Sequence, residues 1–157
     1  MLKSKIMETR NEKTIAAISE LAEFVNDGVM GYQRGADGTK DQEIKTFCLN
    51  KVTERQQFLS ELNGFLMQQG GKPETSGTIK GAIYRQWMAV KAALTGADDE
   101  AMINACAYGE EWALKAYDDA LENQELPLEI RQTLEMQRQE CKHAYNELHE
   151  MKSYHHS

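Results

Sequence analysis

GGKPETSGTIKGAIYRQWMAVKAALTGAD, residues 70–98, is the stretch on which the fold turns. It separates two long segments of helical apolar spacing and is far too long for a hairpin turn. Gly70-Gly71-Lys72-Pro73 closes the helix before it, because glycine suits a C-terminal cap and proline cannot continue the helix. Thr78 to Leu94 reads as a short helix of its own, ended by Thr95-Gly96. Roughly 25 residues thus lie between the flanking helices, enough to travel the length of a bundle with a helix inside.

Working upstream, helix B is expected from Thr39 to about Gln69. Thr39 is the expected N-cap, with Gln42 three residues on as in a capping box. Ile44, Cys48, Val52, Leu59, Leu62 and Leu66 face inward. Gly35-Ala36-Asp37-Gly38 reads as a turn. Before it, helix A, about Asn11 to Arg34, lines up Ile15, Ile18, Ala22, Val25, Val29 and Tyr32 on one face. Downstream, helix C runs from near Asp98 to about Asn123, with Met102, Cys106, Ala113, Tyr117 and Ala120 inward. Pro127 opens helix D, whose inward set is Ile130, Leu134, Cys141, Ala144, Leu148 and Met151. Residues 1–10 are expected as a tail and 154–157 as a frayed end, leaving one domain over 11–153.

A to B and C to D are joined by a few residues, so each pair is an antiparallel hairpin. One long crossover between two hairpins is the ferritin-like arrangement of an all-α four-helix bundle. Helices B and C then run the same way.

Composition agrees with this architecture. The chain has 157 residues, two prolines and a formal charge of -7. No Lys/Arg cluster stands out, so neither nucleic acid nor an anionic membrane is an expected partner. No apolar run approaches the ~20 residues of a membrane span, and MLKSKIMETRNEK contains no apolar export core. Three cysteines at wide spacing, Cys48, Cys106 and Cys141, argue for a reducing compartment. A cytoplasmic protein is expected.

Three polar side chains interrupt the apolar stripes. Arg55 lies between Val52 and Leu59, Glu110 between Cys106 and Ala113, and Gln137 between Leu134 and Cys141. Counted from the helix starts, Arg55 and Glu110 fall at similar height. Because an unpaired buried charge is costly, they should pair, with Gln137 and Tyr32 or Tyr117 as further partners. The plain reading is a core ion pair that sets specificity without chemistry.

Ferritin-like metal sites need an inward Glu on two helices and Glu-x-x-His on the other two. Only helix D carries that tetrad, Glu140 and His143, and its angular position points His143 away from the core. Glu54 is displaced from the inner face by Arg55, and Asp27 lies outside the helix A stripe unless a bulge at Gly28 turns it inward. A carboxylate-bridged iron or manganese site would therefore draw on Asp27, Glu54, Glu110, Glu140 and His143, with Glu110 bridging. The three cysteines face inward near the end where A meets B, as small core residues or, less simply, as a soft-metal site. Arg131, Arg138, Lys142 and His149 form a basic stripe read as a solvated face. Trp87 and Trp112 read as packing anchors.

Four motifs together resemble a known family. They are Asp27-Gly28-x-x-Gly31-Tyr32, Arg55-x-x-Phe58-x-x-Glu61-Leu62, Ser76-Gly77 followed by Tyr84-Arg85-x-Trp87, and Cys106-x-x-Gly109-Glu110 with Tyr117. The chain from about Lys13 to Glu150 resembles the bacterial four-helix-bundle proteins of unknown function in the ferritin-like superfamily. The resemblance implies that fold, a frequent place beside stress-related genes, and no established reaction. The family usually has His where Tyr84 stands and often an acidic residue where Ala107 stands, so two ligands are missing here. The expected function is a non-catalytic, stress-associated bundle acting through its surface as a homo-oligomer or partner-binding protein, with no cofactor. The alternative is the carboxylate-bridged metal protein, and a small-ligand pocket around Tyr84 and Trp87 is a third reading.

Overall fold

The computed structural model describes residues 2–73 and 99–155. They form four helices, α1 (Leu2–Gly38), α2 (Gln42–Gln68), α3 (Asp99–Leu121) and α4 (Leu128–His155), with no strand among the described residues. The helix expected at Thr78 to Leu94, with Tyr84 and Trp87, lies outside the described residues.

The turn chemistry at the end of α2 forms as expected. Gly70 adopts φ +87°, a conformation that costs glycine little. Its N–H bonds the Met67 carbonyl at 3.2 Å and that of Gly71 bonds Leu66 at 2.7 Å. These are the two bonds of a Schellman cap. Ile15 of α1 packs here, its Cγ2 3.0 Å from where a side-chain carbon on Gly71 would stand.

At the other end of the hairpin the expectation needs correction. Gly35-Ala36-Asp37-Gly38 is not a turn but the last turn of α1. Ala36 is fully buried, and Gly35 and Gly38 lie against Met102. That packing offsets the roughly 1 kcal/mol by which each glycine disfavours helix. The N-cap of α2 moves with it, from Thr39 to Asp41, whose Oδ1 accepts from the Ile44 N–H at 3.0 Å. Thr39 instead accepts from the Asp41 N–H and donates to Asp99 Oδ1 at 2.7 Å, tying the loop to the first turn of α3. Helix α1 also begins at Leu2, where a tail was expected, and α4 continues to His155.

Cross-helix contacts set the directions. Thr39 meets Asp99, and Arg55 meets Glu110, so partners advance together along α2 and α3. These two helices are therefore parallel, and the hairpins α1–α2 and α3–α4 are joined by a long crossover. The result is a ferritin-like four-helix bundle.

Two apolar compartments fill it. One gathers Ile18, Leu21, Leu62, Leu66, Tyr117 and Leu134, the other Tyr32, Ile44, Cys48, Ile103, Ala144 and Leu148. Each fully buried Leu or Ile contributes about 1.5–3 kcal/mol. Phe47, Phe58 and Phe65 add a second buried line on α2 beside the expected stripe. None of the described helices is long and apolar enough to cross a membrane.

Candidate functional site

Between the two compartments lies one charged layer. Arg55 follows Val52 of one compartment and precedes Phe58 of the other, and Glu110 stands likewise between Cys106 and Ala113. Helical geometry thus commits both charges to the interior. Arg55 is 3% and Glu110 2% exposed. Nη1 and Nη2 of Arg55 donate to Oε1 and Oε2 of Glu110 at 2.6 and 2.8 Å, a two-point bond that uses both carboxylate oxygens. Burial, the largest influence, works against the guanidinium charge, but the Glu110 carboxylate together with weaker neighbours outweighs it, so Arg55 holds its proton well above the ordinary arginine value.

The rings of Phe58 and Tyr32 flank the guanidinium, with centroids 5.5 and 5.7 Å from Cζ. Outward along α2, Glu54 accepts from Arg55 Nε at 3.2 Å and from Lys51 Nζ at 3.3 Å. Two cations and two carboxylates therefore alternate from the core to the surface of the bundle. Lys51 is itself only 9% exposed, its Nζ lying over the Phe47 ring.

The further partners expected for this pair sort differently. Tyr117 donates to Gln137 Oε1 at 2.7 Å, and Gln137 Nε2 reaches Glu61 Oε1 at 3.4 Å. Those three residues form a second polar unit. Tyr32 contributes its ring to Arg55, but its buried hydroxyl has no hydrogen-bond partner among the described residues. Burial, then the nearby Glu110 charge, push its ionisation well above the usual range.

A cavity of about 30 Å³ opens against the layer, lined in part by Tyr32, Arg55, Glu110, Asp27, Trp112 and Cys141. It has room for roughly two water molecules. Asp27, placed outside the stripe by angular count, is 8% exposed and lines this cavity. No bulge is involved, since α1 is continuous through Gly28. The buried face of α1 is simply wider than one stripe, because Leu21, Phe24 and Asn26 are also covered. Cys141 lines the cavity too, rather than joining the other cysteines. Burial, then Glu110, push its thiol well up.

The remaining candidate ligands do not converge. Glu140 and His143 are 40% and 54% exposed at the side chain and sit 3.9 Å apart on the outer face of α4. His143 also contacts Gln139 at 3.2 Å. Glu54 faces two cations, and Glu110 has both oxygens on Arg55. Among the described residues no group of three His, Cys, Asp or Glu side chains is placed to hold a metal ion. The donor set among the described residues therefore does not fit a carboxylate-bridged pair of metals, which needs inward Glu-x-x-His on two helices.

The basic stripe on α4 lies largely at the surface, with partners along it. Arg131 donates to the Leu121 and Asn123 carbonyls at 3.0 and 2.7 Å, capping the end of α3, and Arg138 Nε bonds Asp118 at 2.5 Å. Lys142 Nζ lies 5.2 Å from the centre of the Tyr145 ring.

Residues 13–123 match the family described as a domain of unknown function, DUF2383. No curated protein matches the sequence. Among solved structures, one from Bacillus anthracis str. Ames, described as ferritin-like and diiron-carboxylate, superposes with a TM-score of 0.74. The match covers 91% of this chain and 97% of that one at 17% identity. The likeness is one of fold.

Proposed function

The chain belongs to the DUF2383 family, a domain of unknown function, and from that premise we propose a non-catalytic bundle without a carboxylate-bridged metal centre. In this reading it works through its surface, as a stress-associated structural or partner-binding protein of the cytoplasm. The single observation behind it is the Arg55 guanidinium, seated between the helices with both oxygens of Glu110 engaged. A cation held there makes the layer electrically complete and repels a divalent metal. Leu49, Met67, Leu128 and Met136 leave apolar surface exposed on α2 and α4, where a second copy or another protein would sit.

The test is the melting temperature of protein purified without chelators, with and without Fe(II) and Mn(II), alongside its mass by light scattering. An unchanged melting curve supports the reading. A metal-dependent rise that disappears in Glu110→Gln replaces it with the carboxylate-bridged alternative, because a ligand that binds only the folded state stabilises by mass action. Asp27 and Glu110 share a cavity wall, and they are the residues with which that alternative would begin.

A further inference from the structure

At the end of the bundle where α1 passes into α2, three sulfur side chains converge. Cys48 on α2 and Cys106 on α3 are 1% and 2% exposed. Both belong to the same buried cluster, with the two thiols within reach of one another. Met102 stands one helical turn before Cys106, hence on the same face of α3. A side-chain carbon placed on Gly35 would lie 3.1 Å from Cys48 Sγ and 3.3 Å from Met102 Sδ. Both sulfurs therefore flank one spot, which α1 leaves open by having glycine there.

We propose that Cys48, Cys106 and Met102 form a binding site for a soft monovalent cation of the copper(I) class. Thiolate and thioether sulfur are the ligands that such a cation prefers. Two thiolates and a thioether suit it better than zinc, which is almost always four-coordinate in structural sites. Hard, oxygen-seeking cations find no support, since no cluster of three His, Cys, Asp or Glu residues stands among the described residues. Met102 is only partly buried, unlike the two cysteines, and offers the way in from solvent.

The site is independent of the charged layer. Cys48 lies two turns before Arg55 on α2, about 10 Å along the helix, and Cys106 one turn before Glu110. Cys141 stands apart, against the cavity beside Glu110.

The full chain, reduced with a phosphine and handled without oxygen, is titrated with copper(I) against the chromophoric chelator bathocuproine disulfonate. The expected result is one copper(I) per chain withheld from the chelator. That capacity is lost in Cys48→Ala and in Cys106→Ala, weakened in Met102→Leu, and kept in Cys141→Ala. Circular dichroism of each metal-free variant reports whether it folds. Cys48→Ser and Cys106→Ser serve where the alanine variants do not. Copper(I) also raises the melting temperature of the native chain and of Arg55→Met, but not of the Cys48 variants. Surrender of copper(I) by native protein as readily as by Cys106→Ala overturns the proposal. So does loss of binding in Cys141→Ala with binding kept in Cys106→Ala, or a thermal shift from zinc(II) and none from copper(I).

Discussion

Tyr32 and Tyr117 are both buried to within 1% of full burial, yet only Tyr117 has its hydroxyl satisfied, by Gln137 at 2.7 Å. An orphaned buried hydroxyl forfeits its bonds to water and gains nothing in return. Replacing Tyr32 by Phe should therefore stabilise the protein by about 1 kcal/mol, and Tyr117→Phe should destabilise it by about 1–3 kcal/mol by stranding the Gln137 carbonyl. Urea denaturation of the two variants checks both signs. A loss of stability in Tyr32→Phe would mean that an occupant of the cavity bonds the hydroxyl.

Removing one member of the buried ion pair leaves the other charge uncompensated. Glu110→Ala should cost about 3–5 kcal/mol, whereas the double variant Arg55→Met/Glu110→Leu should recover most or all of it. Equilibrium unfolding of the single and double variants measures this. A double variant as unstable as the single would show that the layer is needed for more than charge balance.

Alkaline pH should destabilise the fold. Burial raises the ionisation of Tyr32, Tyr117 and Cys141 in the folded state. Their protonated forms contribute stability that is fully present below the unfolded values, about 8.5 for the thiol and 10 for the phenols. Above those values the unfolded chain binds fewer protons than the folded one, so stability falls as pH rises. Unfolding free energies measured from pH 8 to 11 should decline through this window. Tyrosinate absorbance from residues 32 and 117 should appear only with unfolding.

Two arginines of the α4 stripe should separate sharply. Arg131→Ala removes both bonds that cap the carbonyl end of α3 and should cost about 1 kcal/mol. Arg138→Ala breaks a solvent-facing pair with Asp118 and should leave the melting temperature unchanged. Calorimetry on the two variants suffices.

Much of this architecture is legible in the chain because periodicity and loop length are local properties. The stripes of α2, α3 and α4 and the cap at Gly70 follow from residue order alone, as does the level shared by Arg55 and Glu110. What escaped was tertiary. The Gly35–Gly38 run carries turn composition, but packing against Met102 holds it helical. Asp27 is covered because α1 buries a face wider than one stripe. Glu54 bonds the Nε of its sequence neighbour Arg55, which no count of angles registers. The aromatic line Phe47, Phe58 and Phe65 was the available sign that α2 buries a second face. Tyr84 and Trp87 fall outside the described residues.

The parallel course of α2 and α3 bears on how the chain finds its shape. Each hairpin is closed by a loop of a few residues, whereas Arg55 and Glu110 belong to different hairpins. The pair therefore forms only where the two hairpins meet. A docking slipped by one turn, about 5.4 Å, would set the guanidinium against Cys106 or Leu114. That arrangement strands two charges in apolar surroundings and is disfavoured by roughly 3–5 kcal/mol. The charged layer thus acts as a latch that closes in one alignment of the two halves.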